Sequence, residues 1–164
     1  MFQARRLKSN VIAIKVAEFL QSRDAFEQKL LPAENELIVR NVFASIRCNH
    51  HAYWYVTDKD KIIAAGGVKE TAYKSGGYVM EEDYFAVHKN YRKNGIGKMI
   101  LAEIEKFVKE EKGRYILIST CDIDKYKPAR NFYEKHGYRK VGHIPDYYVK
   151  DEGRVDYFKS FTKS

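Results

Sequence analysis

The chain has 164 residues, 45% of them apolar, and a formal net charge of +8. This length and composition predict one folded domain over residues 1–164. They exclude a disordered tail and, because no apolar run approaches about 20 residues, a membrane-spanning segment. The positive charge fits a polyanionic partner, either nucleic acid or a phosphorylated small molecule, but it equally fits a protein that is simply soluble.

The first third of the chain, about residues 10–46, is predicted to be helical. Its apolar residues recur at mostly helical spacings as far as Leu31. Pro32 is predicted to begin a break, since proline interrupts a helix, and residues 33–46 then favour a second helix. The pattern does not define a strand in this part of the chain.

From residue 52 the apolar pattern changes to that of strands. Three strands are predicted, at residues 52–58, 61–70 and 76–88. The polar residues Asp58 to Lys61 separate the first two strands, which is typical of a hairpin turn.

The remainder of the chain alternates helices and strands. Residues 94–113 form an amphipathic pattern whose apolar positions share one face of a helix. The later elements are a strand at 114–120, a helix at 126–138 and two strands at 139–144 and 155–161. This order predicts a mixed α/β domain, with ligand chemistry at a junction between a strand and a helix.

The stretch VHKNYRKNGIGKMI, residues 87–100, places cations and glycines at the predicted start of a helix. A helix N-terminus has unpaired N–H groups and about half a positive charge, so lysine and arginine are unfavourable there unless an anion lies among them. Gly95 and Gly97 each cost about 0.5–1 kcal/mol relative to alanine in a helical turn, and they let a ligand approach the main chain. Together with Arg92 and Lys93 they predict a phosphate-binding site. For the cations, a solvated basic turn is the alternative.

Two common phosphate-binding loops do not match this stretch. A Walker A loop needs four residues between its glycines and a serine or threonine after the lysine, whereas only Ile96 separates the glycines and Met99 follows Lys98. A dinucleotide fingerprint needs a third glycine where the chain has Ile100. What remains is Arg-x-x-Gly-x-Gly directly after a predicted strand.

This arrangement resembles the acetyl-coenzyme A signature of the GNAT family of N-acetyltransferases, in which Arg/Gln-x-x-Gly-x-Gly/Ala follows a strand ending in Ala-Val. A second family motif, Ala-x-x-(Leu/Phe)-Tyr-x-x-x-Gly-(Phe/Tyr), is filled downstream by Ala129, Phe132, Tyr133, Gly137 and Tyr138. The motifs stand in the family's order and spacing, and the resemblance covers about residues 54–144. It implies a central, mostly antiparallel mixed sheet flanked by helices, and acetyl transfer from acetyl-CoA to a primary amine.

The chain departs from the family pattern at two positions. Lys89 stands where the family often has proline, and Tyr126 stands where it often has an asparagine that contacts coenzyme A. These departures concern individual cofactor contacts near Tyr126 and not the fold.

The resemblance implies a set of cofactor-binding residues. The main chain of three strand residues is expected to pair with the pantetheine arm like an added strand, and the main-chain amides of the glycine turn are expected to bind the diphosphate. Arg92 and Lys93 would add positive charge. The set is Phe85, Ala86, Val87, Arg92, Lys93, Asn94, Gly95, Ile96, Gly97 and Lys98. No metal is expected.

Tyr133 is, by its place in the second motif, the candidate general acid. Transfer from a thioester expels a thiolate whose conjugate acid has a pKa of about 8.5, and a phenol within hydrogen-bonding reach can protonate or stabilise it. The alternative is that Tyr133 packs with Phe132 on a core-facing side of the helix.

The acceptor amine, with a pKa of about 10.4 if it resembles lysine, must lose a proton before it attacks. Glu81 is the candidate general base, chosen by its position on the strand before the cofactor-binding helix. Alternation along that strand places Glu81 and Asp83 on one face and Glu82 on the other. An exposed acidic strand end is the alternative. His88 and His136 are expected at the surface.

The sequence does not define the acceptor. Tyr147 and Tyr148 precede the last predicted strand and either shape an acceptor pocket or pack the hairpin. The expected partner is a small-molecule or peptide amine. A net charge of +8 suits a polyamine poorly unless a local acidic pocket overrides it. Homodimers are common among such proteins.

Three functions remain open. The motifs favour an acetyl-CoA-dependent N-acetyltransferase, and the alternatives are a CoA or acyl-CoA sensor without turnover and a basic nucleic-acid-binding protein. Cations gather at one loop rather than along a helix face, which disfavours nucleic acid. Cys48 and Cys121 lack the spacing of a zinc site, and the opening residues lack the apolar segment of a secretory signal, so we expect a cytoplasmic protein.

Overall fold

A mixed β-sheet runs through the centre of the molecule, of which the computed structural model describes residues 1–82 and 84–163. The strands are β1 (Arg5–Arg6), β2 (His51–Asp58), β3 (Lys61–Glu70), β4 (Gly77–Met80), β5 (Ala86–Val87), β6 (Tyr115–Cys121), β7 (Arg139–Val149) and β8 (Glu152–Ser160). The helices are α1 (Asn10–Gln21), α2 (Arg23–Phe26), α3 (Pro32–Arg47), α4 (Ile96–Glu110) and α5 (Lys127–Lys135). Short 3-10 turns cover Lys89–Tyr91 and Asp124–Tyr126.

The strands follow the spatial order β1-β2-β3-β4-β6-β8-β7, and β5 pairs with β3 off this path. The pairing of β4 with β6 is parallel, because α4 carries the chain back between them, and the other pairings are antiparallel. The prediction of a central, mostly antiparallel mixed sheet flanked by helices is therefore confirmed.

Helices cover both faces of the sheet because side chains alternate along its strands. Trp54 and Val56 of β2 pack in one core with Ile100 and Ile104 of α4. Tyr53 of the same strand packs in a second core with residues of α1 and α3. Each fully buried isoleucine stabilises such a core by about 1.5–3 kcal/mol.

The third predicted strand is wrong as a continuous element, because the chain bulges between β4 and β5. The partner of Lys69 in β3 is Val79, and the partner of Ala65 is Ala86. Between these two pairs the chain advances seven residues from β4 to β5, from 79 to 86, whereas β3 advances only four, from 69 to 65. The extra residues interrupt the ladder between β4 and β5.

Pro32 begins a helix rather than a break. It is the first residue of α3, and the N–H of the preceding Leu31 donates to the Glu34 carboxylate over 2.7 Å. Proline is favoured at this position because the first N–H groups of a helix have no intrahelical acceptor. The break lies earlier, at residues 27–31.

Two further strands differ from the prediction. β1 is only two residues long, too short for an apolar period, and pairs with β2 while the Arg6 guanidinium lies 4.9 Å from the ring centroid of Trp54. β7 continues past Ile144 to Val149 through an irregular stretch that contains Pro145. Proline is tolerated there because β7 is an edge strand.

Candidate active site

The sheet divides where β5 leaves β4. The parallel ladder of β4 and β6 ends at Met80 and Ile118, and the remaining described residues of β6 pair only with β8. In the described chain β5 pairs only with β3. A gap therefore opens between β5 and the last residues of β6.

The main chain of β5 points alternately towards β3 and towards this gap. The N–H of His88 donates to the carbonyl oxygen of Ile63 in β3 over 2.7 Å. Because main-chain groups alternate along a strand, those of Val87, and by continuation those of Phe85, face the gap. An extended ligand chain in the gap can therefore continue the ladder.

A groove of about 610 Å³ extends from this gap to the starts of α4 and α5. All the predicted cofactor-binding residues except Asn94 line the groove, and so does Tyr133, whereas Glu81 does not. The Asn94 side chain folds back onto its own turn, with Nδ2 3.2 Å from the carbonyl oxygen of Tyr91. The structure thus brings the two sequence motifs together around one cavity.

A glycine of β3 makes room for the groove wall. Any Cβ on Gly66 would clash with the ring of Phe85, which lies directly over it. That ring lies 6.0 Å from the ring of Phe132, centroid to centroid. The sequence shows this glycine, but only the pairing of β5 with β3 shows why it is needed.

The turn before α4 exposes main-chain donors. Lys93 and Gly95 have φ angles of 66° and 77°, and α4 begins at Ile96 without a side-chain cap. Within the residues that the structure describes, no protein acceptor meets the main-chain N–H groups of residues 93–98. Unpaired N–H groups at a helix N-terminus bind anions, so this turn has the geometry of a phosphate site.

The lysines of this turn differ in their surroundings. Lys93 and Lys98 are exposed and make no ion pair with any described residue. Lys89 pairs with Asp24 at 3.3 Å, in keeping with a structural contact to α2. Lys93 and Lys98 are therefore the lysines of this turn that are available to an anionic ligand.

Arg92 is engaged with the protein itself. Its Nε donates to the carbonyl oxygen of Val87 over 3.1 Å, and its Nη2 donates to that of Ala25 over 2.9 Å. Its Nη1 donates to Oε2 of Glu27 over 2.6 Å. This last bond holds the pKa of the Glu27 carboxyl below its ordinary range.

Tyr133 belongs both to the groove wall and to the core. Its side chain is 6% exposed, and its ring packs against Phe85, Tyr138 and Tyr157 with centroids 6.1 to 6.5 Å apart. No described residue hydrogen-bonds its hydroxyl group. Burial raises the pKa of Tyr133 well above its ordinary value, so the hydroxyl stays protonated at neutral pH.

Glu81 is held by an arginine of β8. The guanidinium of Arg154 binds the Glu81 carboxylate, Oδ1 of Asp156 at 2.7 Å and the hydroxyl oxygen of Tyr147 at 3.1 Å. This network holds Glu81 next to the β7–β8 hairpin. The residues that form the network do not line the groove.

The acidic residues after β4 are not arranged as a regular strand. Glu81 and Glu82 lie in the irregular segment, and their side chains contact different partners, Arg154 and Lys69; Asp83 lies outside the described residues. Oε2 of Glu82 accepts a hydrogen bond from Lys69 at 2.9 Å. The bulge explains the difference, since a period of two holds only within a ladder.

Neither predicted surface histidine lies at the surface as expected. His88 is 2% exposed; its Nδ1 accepts the N–H of Asn90 at 3.1 Å, and its Nε2 lies 3.0 Å from Nζ of Lys61. His136 is half-buried, lines the groove and packs on Phe132 with centroids 4.3 Å apart. Polar partners from other elements make this burial tolerable, and no sequence period shows them.

Three tyrosines from separate elements gather beside the groove, and we call Tyr84, Tyr126 and Tyr148 the aromatic corner. Burial raises the pKa of all three, and the carboxylate of Glu34 raises those of Tyr84 and Tyr126 further. The hydroxyl of Tyr126 accepts a hydrogen bond from Nε2 of Gln28 at 2.7 Å. The aromatic corner thus combines apolar rings with the Glu34 carboxylate near Tyr84 and Tyr126 and the Arg154 guanidinium near Tyr148.

The sequence profile of the Acetyltransferase (GNAT) family matches residues 16–138, which is most of the chain. The chain belongs to this family. The match includes both motifs that meet at the groove, and it makes this GNAT protein an acyltransferase by class.

Solved structures show the same fold at low sequence identity. A candidate GNAT acetyltransferase from Desulfovibrio desulfuricans is 22% identical, with a TM-score of 0.82, and the match covers 99% of this chain and 100% of that one. An aminoglycoside 6′-N-acetyltransferase complexed with coenzyme A is 18% identical, with a TM-score of 0.75 and coverages of 100% and 98%. The ribosomal-protein-S18-alanine N-acetyltransferase from Escherichia coli is 12% identical, with a TM-score of 0.76 and coverages of 100% and 96%. No curated protein is significantly similar in sequence.

Two other features are absent from residues 1–82 and 84–163. These residues contain no group of three or more histidine, cysteine, aspartate or glutamate side chains able to hold a metal ion. They also contain no helix both long and apolar enough to cross a membrane.

Proposed function

We propose that this GNAT protein transfers an acetyl group from acetyl-CoA directly to a primary amine in a ternary complex. The observation that carries the proposal is that the free edge of β5, the open N–H groups before α4 and the phenol of Tyr133 share one groove. Coenzyme A offers the matching groups in order, namely an amide-bearing arm, a diphosphate and a thiol. A related aminoglycoside acetyltransferase was solved with this molecule bound.

The diphosphate is proposed to rest on the main-chain N–H groups of residues 93–98. Lys93 and Lys98 add positive charge, since neither is neutralised by a described acidic residue. The pantetheine arm is proposed to lie along β5, where Phe85 and Val87 direct main-chain groups into the gap and Ala86 directs its own to β3. Anion binding by a helix N-terminus and strand addition at an unpaired edge both support this placement.

Tyr133 is proposed as the proton donor to the leaving group. The amine nitrogen bonds to the thioester carbon, the carbon–sulfur bond breaks, and the departing thiolate receives a hydrogen bond or a proton from the phenol. The amine loses its proton to a base or to water. Because burial raises the pKa of Tyr133, we expect its hydroxyl to stabilise the developing thiolate as a hydrogen-bond donor throughout the neutral range.

Glu81 is proposed as the group that receives the amine proton, through water, because its carboxylate does not line the groove. Its ion pair with Arg154 fixes it beside Tyr147 and the aromatic corner. That position supports a role on the acceptor side of the site rather than on the cofactor side.

The acceptor is proposed to be a cationic amine that enters past the aromatic corner. Tyrosine faces attract cations, and the Glu34 carboxylate adds negative potential at Tyr84 and Tyr126. Near Tyr84 and Tyr126 the Glu34 carboxylate opposes the overall charge of +8, which supports the approach of a cationic acceptor on that side. Amine-bearing acceptors are named for related structures, an aminoglycoside in one and the alanine of a ribosomal protein in another.

The proposal is tested by two measurements on the same protein. Calorimetry should detect saturable binding of coenzyme A, and thiol release from acetyl-CoA should depend on an added amine from a panel of aminoglycosides, polyamines and peptides. Binding without release for every amine would favour the sensor. No binding at all would overturn the proposal.

A further inference from the structure

Residues 25–28 cross the gap in the sheet, and we call them the strap. They comprise the last two residues of α2 and the two that follow it, and the strap residues Ala25, Phe26 and Glu27 line the groove. Glu27 has a φ of 54°, in the left-handed region, so the chain turns sharply there. Side chains from both banks of the gap hold the strap in place.

Arg92 anchors the strap to the first bank, which is β5 and the glycine turn. One edge of its guanidinium reaches Val87 at the end of β5, at 3.1 Å. The other reaches the carbonyl oxygen of Ala25 at 2.9 Å and the carboxylate of Glu27 at 2.6 Å. One planar group thus joins the strand edge to the strap.

Two side chains anchor the strap to the second bank, which is the 3-10 turn after β6. Nζ of Lys125 donates to the carbonyl oxygen of Glu27 at 2.7 Å. Nε2 of Gln28 donates to the hydroxyl of Tyr126, also at 2.7 Å. Because β5 and β6 diverge on opposite sides of the gap, a strap fixed to both banks spans it.

We infer that Arg92 is a positioning residue that latches the strap across the groove, and that it is not a ligand of the diphosphate. Its charge is neutralised by Glu27 at 2.6 Å, so it offers an incoming anion little net attraction. Three acceptors in three directions require the forked geometry of arginine, whereas a point charge for phosphate requires only a lysine. Two unpaired lysines, Lys93 and Lys98, already lie in the same turn.

The latch has a consequence for the cofactor that rests on the proposed function. An arm lying along β5 would run beneath the strap, so the strap must loosen before coenzyme A leaves. The strap also carries Phe26, whose ring contacts Tyr84 of the aromatic corner with centroids 5.8 Å apart. The latch therefore sets both how long the cofactor stays and how the acceptor side is shaped.

Hydrogen exchange in the free protein tests the latch without any ligand. We expect Arg92→Lys and Glu27→Ala each to speed exchange at the amides of residues 25–31 by on the order of tenfold, because each breaks charge-assisted bonds that hold the strap. Lys93→Met is the matched control, since it removes a cation from the same turn that contacts no described strap residue, and it should leave that exchange unchanged. Equal exchange in all four proteins would overturn the inference.

Coenzyme A binding distinguishes the two roles of Arg92, because Glu27→Ala should weaken it if Arg92 latches the strap and strengthen it if Arg92 binds phosphate. Glu27→Ala should speed release of coenzyme A by on the order of tenfold. It should leave the affinity for 3′-phospho-ADP, which lacks the arm, unchanged. If Arg92 were a phosphate ligand, freeing it from Glu27 would tighten both. The double variant with Arg92→Ala should release coenzyme A no faster than Arg92→Ala alone, since that change already removes the bond to Glu27. If the unmodified protein binds neither ligand, the proposed function fails, while the exchange experiment still decides the latch.

Discussion

Nε of Arg92 donates a hydrogen bond to the carbonyl oxygen of Val87 over 3.1 Å, so the protein itself satisfies the last groove-side acceptor of β5. A ligand strand at this edge meets the N–H of Val87 and the main chain of Phe85, which have no hydrogen-bond partner among the described residues, whereas it would share the Val87 carbonyl with Arg92. The edge is open enough to receive an arm but too short to receive a whole strand. This explains how a free edge can persist without pairing with another protein chain.

Gly95→Asp should weaken coenzyme A binding by at least about tenfold. Because Gly95 has a φ of 77°, both this variant and Gly95→Asn should also lose some stability through backbone strain. A Cβ at Gly95 meets nothing within 4 Å, so bulk is not the obstacle. The aspartate would cap α4 and compete with the diphosphate for the same N–H groups. Calorimetry measures the loss, and Gly95→Asn is the control of equal shape without charge. Unchanged affinity in the aspartate variant would remove the diphosphate from this turn.

Tyr133→Phe should lower kcat by about 10²-fold or more while leaving cofactor affinity nearly unchanged, since it removes only a proton donor. Tyr138→Phe is the matched control on the neighbouring buried tyrosine. Its hydroxyl donates to Glu105 at 3.0 Å, so that variant should lose about 1 kcal/mol of stability and keep its kcat. Single-turnover thiol release distinguishes the two, and a normal rate for Tyr133→Phe would exclude the phenol from the reaction.

The value of kcat/KM should rise with pH and should not decline at any pH below about 10. Two groups set this expectation. The acceptor amine, with an ordinary pKa of about 10.4, becomes reactive as it loses its proton. The donor phenol does not lose its own in that range, because burial raises the pKa of Tyr133. The profile is measured at constant ionic strength. A decline between pH 8 and 9 would contradict Tyr133 as the donor.

Glu81→Gln should lower kcat/KM at neutral pH by about 10²-fold if this carboxylate receives the amine proton. Glu82→Gln is the neighbouring control, since that carboxylate is bonded to Lys69 at 2.9 Å. The loss in Glu81→Gln should shrink with rising pH as the amine deprotonates unaided. Equal rates for both variants would assign proton removal to water alone.

Gly66→Ala should weaken coenzyme A binding through the groove wall, because its Cβ would displace the ring of Phe85. Overpacking of this kind costs about 1–3 kcal/mol of stability. Gly142→Ala, where the nearest atom to a Cβ is 3.6 Å away in Asp156, is the control in another strand. Thermal unfolding and calorimetry together measure the two effects. Normal affinity at Gly66→Ala would show that Phe85 is not part of the cofactor wall.

The sequence predicted the local features of the site well. Each of these features depends on about fifteen consecutive residues, where helical period and turn chemistry act directly. They are the glycine turn, the apolar face of α4 and the second motif. Gly95 has a φ of 77°, a conformation that favours glycine and a second reason for this residue that the sequence analysis did not foresee. Gly97 is less demanding, since a Cβ there would meet Phe132 and Val87 at ordinary distances.

The features that shape the groove lay beyond sequence reasoning because they join distant parts of the chain. Arg92 and Glu27 are 65 positions apart, and Gln28 and Tyr126 are 98 apart. The bulge after β4 depends on how many residues oppose β3, which no period of apolar residues reports. The burial of His88 likewise depends on Lys61, which comes from a different strand.

The division between β5 and β6 means that the sheet forgoes ladder bonds at its centre, each worth about 0.5–1.5 kcal/mol when made. A ligand that supplies the missing hydrogen-bond partners should therefore stabilise the folded state. Melting temperature should therefore climb with coenzyme A concentration, by mass action, and at 100 times the dissociation constant the folded state should gain about 2.7 kcal/mol. Coenzyme A would thus supply hydrogen-bond partners that the described strands β5 and β6 do not supply to each other.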